Sequence, residues 1–413
     1  AWLNQHVKDS AYDMYFVMAN GGASRSGYWT ASVLGKLQDA SAKKDSNNLF
    51  SDHVFCLSGT SGGGVGVAAF FSLLQGRNRS DAQFETSAKD YLKRDYFTYT
   101  FARLLGPDYF SDVLNIFKFI PVHAADRAAA LEESFEKSVP DYKTDAFRVP
   151  FDKNFSTFAA MNNAQTVPLL PILCINSTRM QDGNPGIVSN LRIDSATFNN
   201  RIDILTLLDS TSDISMASGS ILGARFPYLS PAGKIGDSYF VDGGYFDNSG
   251  AGVVQEMIRG IIKIANDSPA LREKINLLRF KVLHIVNSPV INSRNKFEPV
   301  ASVKNDLLAP VLTIMGAYDM QTTVNDQRLI NYIHDVADSN HRASYTRISL
   351  YEDELEWKND MELNTRFDIE PSYAMNWFIS DTTLNRINKR LSNGRNRILD
   401  SLVKTFQWGN GAH

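Results

Sequence analysis

The sequence predicts an α/β protein with a largely parallel central sheet, helices on both faces, a helical insertion and a helical C-terminal region. Three observations lead there. Two units of strand, glycine loop and helix follow one another near the start of the chain. Further short apolar runs recur at Leu169 to Ile175, Tyr239 to Val241 and Phe280 to Val286. The stretch between Leu74 and Leu169 is much longer than one crossover needs, so it reads as an insertion.

Each element has its own reason. Met14 to Ala19 is an unbroken apolar run, as expected of a strand buried on both faces; it ends in Asn20-Gly21-Gly22 and leads into the helix-like Tyr28 to Leu37. The pattern repeats at Val54 to Leu57, a second glycine loop, and Val65 to Leu74. Strands alternating with helices imply a parallel sheet covered on both sides. In the insertion, about residues 80–165, Tyr96 to Leu105 and Tyr109 to Val122 are rich in aromatic and aliphatic side chains, and Asp126 to Lys137 in helix formers. Two readings stand for it: an amphipathic helical cap packed on the core, or a greasy substrate channel or membrane-facing patch. Residues 1–290 are expected to form the α/β domain, and 291–413 a mainly helical extension packed on it. Leu384 to Lys404 reads as an amphipathic helix interrupted at Asn393-Gly394.

Composition narrows the function classes. A net charge of -3 over 413 residues, without a basic run, gives no footprint for nucleic acid. Two cysteines, Cys56 and Cys174, each sit inside an apolar run and read as core thiols in a reducing compartment; no ligand cluster suggests zinc. No apolar stretch has the roughly 18 to 20 residues of a spanning helix. The chain opens at Ala1-Trp2 with no signal pattern and reads as a domain of a longer protein, with or without a membrane anchor, in the cytoplasm or at the cytoplasmic face of a membrane.

The chemistry centres on Gly59-Thr60-Ser61-Gly62-Gly63, directly after the second strand. A nucleophile at a sharp strand-to-helix turn needs very small residues two before and two after it, and Gly59 and Gly63 meet that need. Ser61 is the candidate nucleophile. A hydroxyl protonated at neutral pH needs a base and donors for the oxyanion formed on attack. The first loop, Gly21-Gly22-Ala23-Ser24-Arg25-Ser26-Gly27, opens a helix, so its free N–H groups suit either a phosphate or an oxyanion. Asp242 in Val241-Asp242-Gly243-Gly244-Tyr245-Phe246-Asp247-Asn248 stands at a strand's carboxyl end and is the candidate base; a plain Asp-Gly turn is the simpler reading of that segment.

In order, the glycine loop with Arg25, the elbow and the Asp242-Gly243-Gly244 turn resemble the motifs of the patatin-like phospholipase family, which includes the catalytic domain of cytosolic phospholipase A2. The Ala217 to Pro227 segment is similar to the family's Ala-Ser-rich helix ending in Phe-Pro, and Asn248 falls where the family often carries Asn. The resemblance spans roughly Asp13 to Val286. It implies a lipid acyl hydrolase with a Ser61–Asp242 dyad and no histidine, metal or cofactor. Gly21, Gly22 and Ala23, with Gly62, would form the oxyanion hole, and Arg25 would brace the loop or meet a phosphate. Gly59, Gly63, Gly243, Gly244 and Asn248 support the turns. The implied partner is a lipid or phospholipid, at a membrane surface. Ala23 departs from the family's third glycine and Ser26 from its usual Gly or Ala.

Rival readings remain open. A Ser-His-Asp arrangement could draw on His284 or His334. Gly64-Val65-Gly66-Val67-Ala68-Ala69 fits a dinucleotide fingerprint but starts beyond the strand and lacks the later acid. A silent lipid-binding or scaffold domain would keep the fold without turnover.

Overall fold

The computed structural model describes residues 2–45, 48–103, 105, 127–137, 153–158, 170–209, 212–225, 230–288, 320–336, 342–352 and 373–408. Of the expectations above, the aromatic run Tyr109 to Val122 and the Phe226-Pro227 pair lie outside these residues.

In chain order the elements are α1 (Trp2–His6), β1 (Tyr12–Ala19), α2 (Ala23–Lys44), α3 (Phe50–His53), β2 (Val54–Thr60), α4 (Ser61–Gly76), α5 (Phe84–Leu92), α6 (Thr98–Arg103) and α7 (Arg127–Lys137). There follow β3 (Ile172–Arg179), β4 (Pro185–Ser189), β5 (Ile202–Asp203), α8 (Met216–Leu222), β6 (Gly233–Ile235), β7 (Ser238–Asp242), α9 (Ala251–Asp267), α10 (Pro269–Asn276) and β8 (Leu278–Val286). The last are α11 (320–336), β9 (Ala343–Ser349), α12 (Asp381–Leu391) and α13 (Arg397–Trp408). One sheet runs β5-β4-β3-β2-β1-β8-β9, with β7 on β3 and β6 on β7. The five strands β3, β2, β1, β8 and β9 are mutually parallel.

The unbroken apolar run of β1 follows from its central place. Tyr15, Val17 and Ala19 face one core with α2 and α4, while Met14, Phe16 and Met18 face a second core with α9 and α11. Burial of both faces replaces alternation by continuity. Helices α2 and α4 cross closely because both carry glycine there: a Cβ on Gly66 would meet the Gly27 carbonyl at 2.8 Å.

Among the described residues the insertion supplies α5, α6 and α7. Part of it packs as a cap, with Tyr96 stacked on Phe135 at 4.0 Å and Trp377 edge-on to Phe135. Tyr99, Phe101 and Leu105 remain exposed, Leu105 at 62%. The terminal helix breaks where expected, between α12 and α13, with Gly394 at φ +80. Beyond residue 290 one feature differs from the expectation of a mainly helical extension: β9 pairs in parallel with β8 and extends the central sheet. Its Ala-Ser-Tyr-Thr-Arg-Ile-Ser sequence is only partly buried, so it lacks the apolar run that marks the other core strands. Among the described residues no helix is long and apolar enough to cross a membrane.

Candidate active site

Two strands end head to head, and their ends carry the candidate dyad. On β3, Asn176 pairs with Thr60 at the end of β2, and the next residue, Ser177, pairs with Asp242 at the end of β7. Strand β4 occupies the other edge of β3 at Ser177 and Thr178, so β7 lies on the edge where β2 stops. Because β2 is parallel to β3 and β7 antiparallel, Ser61 and Asp242 are delivered from opposite directions to one spot. Gly223, after α8, ties the two backbones together: its carbonyl accepts the Ser61 N–H at 3.2 Å and the Gly243 N–H at 3.2 Å.

Ser61 is buried and holds φ +52, a left-handed backbone that a non-glycine residue adopts at a cost. Its neighbours show why the elbow is glycine-rich. A Cβ at Gly59 would meet the Gly64 backbone at 2.7 Å, one at Gly63 the Ala19 carbonyl at 2.4 Å, and one at Gly62 the Ala23 carbonyl at 1.9 Å. The elbow therefore sits with its backbone against the glycine loop.

Asp242 is a buried carboxyl. Its Oδ1 accepts the Gly244 N–H at 2.8 Å, while Oδ2 has no hydrogen-bond partner. Desolvation pushes its pKa up to about 6, opposed by the nearby Ser61 hydroxyl and the Gly244 amide. Ser61 thus lies close enough to favour the carboxylate, though outside the geometry of a full hydrogen bond.

The glycine loop divides its N–H groups. Gly21 does not serve as the oxyanion donor expected of it: its N–H donates to the Asn248 carbonyl at 2.9 Å, so it holds the loop to the turn after Asp242. The N–H groups of Gly22, Ala23 and Gly62 make no hydrogen bond with the described residues. Ala23 stands at φ +52, where the family's glycine would sit without strain. The Asn248 side chain fills the space over Gly21 and Gly244, 2.2 Å and 2.9 Å from where their Cβ atoms would be. Ser26 donates its hydroxyl to the Asn20 carbonyl.

Arg25 acts as a brace rather than an open phosphate site. It is buried, with Nε donating to Asn287 Oδ1 at 3.1 Å and Nη1 to the Tyr373 carbonyl. Two histidines are engaged elsewhere. His284 is fully enclosed, bonded through Nδ1 to Tyr345 and through Nε2 to Asn20, and burial beside Arg347 lowers its pKa to about 3. His53 meets the Asp13 carbonyl at 3.0 Å and Asn48 at 2.8 Å, while His334 is exposed on α11.

Some supporting residues escaped the sequence reading. Asn176 donates to Ser58 Oγ and the Gly59 carbonyl, both at 3.0 Å, and Asn287 donates to the Asn20 and Gly21 carbonyls at 3.1 and 2.9 Å. Each is an amide within or directly after an apolar strand, a signal available in the sequence. Among the described residues no group of three or more His, Cys, Asp or Glu could hold a metal ion.

A family model described as patatin-like phospholipase matches residues 17–254, which include the glycine loop, Ser61 and Asp242. The chain belongs to the patatin-like phospholipase family. For this patatin-like chain, lipid hydrolysis is the class of chemistry the family implies. No curated protein matches it. Among solved structures it is similar to human GIVD cytosolic phospholipase A2, at 14% identity and a TM-score of 0.31. That match covers 57% of this chain and 32% of the other, so the patatin-like chain spans about a third of that protein's length.

Proposed function

We propose that this chain is a lipid acyl-ester hydrolase, of phospholipase A or lysophospholipase type, working through a Ser61–Asp242 dyad. The observation that carries the proposal is the strained Ser61 beside a desolvated carboxyl whose Oδ2 lacks a partner, with unbonded N–H groups at Gly22, Ala23 and Gly62.

Ser61 Oγ attacks the ester carbonyl carbon as Asp242 takes the hydroxyl proton. The carbonyl oxygen becomes an oxyanion, stabilised by N–H groups from Gly22, Ala23 and Gly62. Collapse breaks the bond to the alcohol, which leaves with the proton from Asp242, and the acyl group stays on Ser61. Water then attacks the acyl-enzyme, Asp242 accepts its proton, and collapse frees the fatty acid as Ser61 regains a proton. A base near pKa 6 suits both directions of transfer around neutral pH.

Lipid at a membrane surface is the proposed substrate. Tyr99 and Phe101 on α6, Leu105 just beyond it, and Met375 and Phe378 are exposed, Met375 at 70%. Residues 96 and 377 join the two segments through Tyr96 N–H to the Trp377 carbonyl at 3.0 Å. The Asn376 carbonyl accepts the Ser24 N–H at 3.1 Å, which sets this apolar surface beside the glycine loop.

Turnover of a fluorogenic phospholipid and a short-chain nitrophenyl ester by the intact chain, Ser61→Ala and Asp242→Asn tests the reading. Both variants are expected to lose at least about a hundredfold. Ser61→Ala turning over as fast as the intact chain would overturn it, and vesicle binding without turnover would favour a silent lipid-binding domain.

A further inference from the structure

Several residues beyond the family match at 17–254 bond to the glycine loop. Asn287, directly after β8 and fully buried, makes three bonds to it: Nδ2 to the Asn20 and Gly21 carbonyls and Oδ1 from Arg25 Nε. His284, within β8, bonds the Asn20 side chain through Nε2 and takes the Tyr345 hydroxyl of β9 on Nδ1 at 2.5 Å. With Asn20 Oδ1 accepting, Nε2 carries the proton and Nδ1 accepts, the pattern of a neutral imidazole. Farther along, the Tyr373 carbonyl accepts from Arg25 and the Asn376 carbonyl from the Ser24 N–H. On the opposite flank, Thr322 Oγ1 of α11 accepts the Asn248 N–H at 3.2 Å, and the Asn248 carbonyl accepts the Gly21 N–H.

We infer that the carboxyl end of β8, backed by β9 and residues 373–376, positions the oxyanion donors, with Asn287 and His284 as positioning residues that never touch substrate. The inference rests on the dyad reading above. Its physical basis is the loop's own geometry. Ala23 at φ +52 holds a backbone state that a non-glycine residue does not favour unaided, beside Gly22 at φ +152, and the placing of the two N–H groups depends on these states. Asn20, Gly21 and Arg25 are the anchors on either side of that pair, and His284 of β8 with Asn287 just after it holds all three. Crowding enforces the arrangement: a Cβ on Gly22 would lie 2.2 Å from Asn287 Oδ1.

Asn287→Asp is the sharpest variant. It keeps the shape and the Arg25 contact but replaces the two donated N–H bonds by an acceptor facing two carbonyls. Turnover of the nitrophenyl ester is measured per active site, with sites counted by the acylation burst, for the intact chain, Asn287→Asp, Tyr345→Phe and Ser61→Ala. Donors that act mainly on the transition state predict a fall in kcat per titrated site of about 10- to 100-fold in Asn287→Asp, with KM within about threefold. A merely structural role would lower the number of titrated sites and leave kcat per site unchanged, and that result overturns the inference. If Asn287→Asp does not fold, Tyr345→Phe decides: it removes one hydroxyl behind His284, and kcat per site should fall several-fold, whereas an unchanged value overturns the inference. An intact chain with no turnover above Ser61→Ala overturns the dyad reading and the inference with it, whereas a working dyad with unaffected variants overturns the inference alone.

Discussion

As the base of the proposed dyad, Asp242 would link activity and stability to pH in opposite directions. Its pKa is raised by desolvation from 3.8 to about 6, so the folded protein prefers the neutral acid. The stability from that neutral form is fully present below the unfolded value of 3.8 and is lost as pH rises through about 6. The dyad needs the carboxylate, so kcat/KM should fall on the acid side with an apparent pKa near 6; a profile flat from pH 5 to 8 would exclude Asp242 as the base. Asp242→Asn should be nearly inactive yet more resistant to urea at pH 8, by about 2 to 3 kcal/mol at 1.36 kcal/mol per unit. That gain should shrink towards pH 4, and an equal effect at both pH values would contradict the desolvation account. Ala23 offers a second residue-scale test. A β-carbon at φ +52 strains the backbone, so Ala23→Gly should raise the unfolding free energy by about 0.5 to 1 kcal/mol after glycine's extra unfolded entropy. Gly62→Ala should do the reverse, because its Cβ would lie 1.9 Å from the Ala23 carbonyl; a soluble Gly62→Ala protein with native Tm would refute the close approach.

The two strand–loop–helix units were legible in the sequence because their constraints are local. Gly59 and Gly63 announce a tight turn wherever the turn sits, and unbroken apolar runs announce β1 and β2 whatever their partners. Strands β5 and β6 were missed because they have only two and three residues, β4 because its Pro-Gly-Ile-Val-Ser carries just two large apolar side chains, and β9 because it is half-exposed. The insertion kept two readings because its aromatic side chains serve both: Tyr96 packs inward on Phe135, while Tyr99, Phe101 and Leu105 face outward. If those outward residues and the 375–378 segment dock on lipid, Leu105→Glu combined with Met375→Glu should lower the ratio of vesicle-phospholipid to short-ester turnover at least fivefold, about 1 kcal/mol at the interface. An unchanged ratio, measured alongside vesicle sedimentation, would remove that surface from the membrane contact.

Across the whole molecule, sequence alone determined the family, the two strand–loop–helix units and the main core strands of the matched region, and which turns carry the candidate nucleophile and acid. Those features depend on steric demands within a few residues, so they leave local marks. Only the tertiary structure decided which groups meet. It set β7 on the edge of β3 where β2 ends, so that Asp242 faces Ser61. It bonded the Gly21 N–H to Asn248, turned Arg25 into a brace, and enclosed His284 between Tyr345 and Asn20. It also brought residues 373–376, far along the chain, against the glycine loop, and set β9 beside β8. Strand pairing and burial join residues distant in sequence, and the identity of a residue carries no record of the partner that the fold will set beside it.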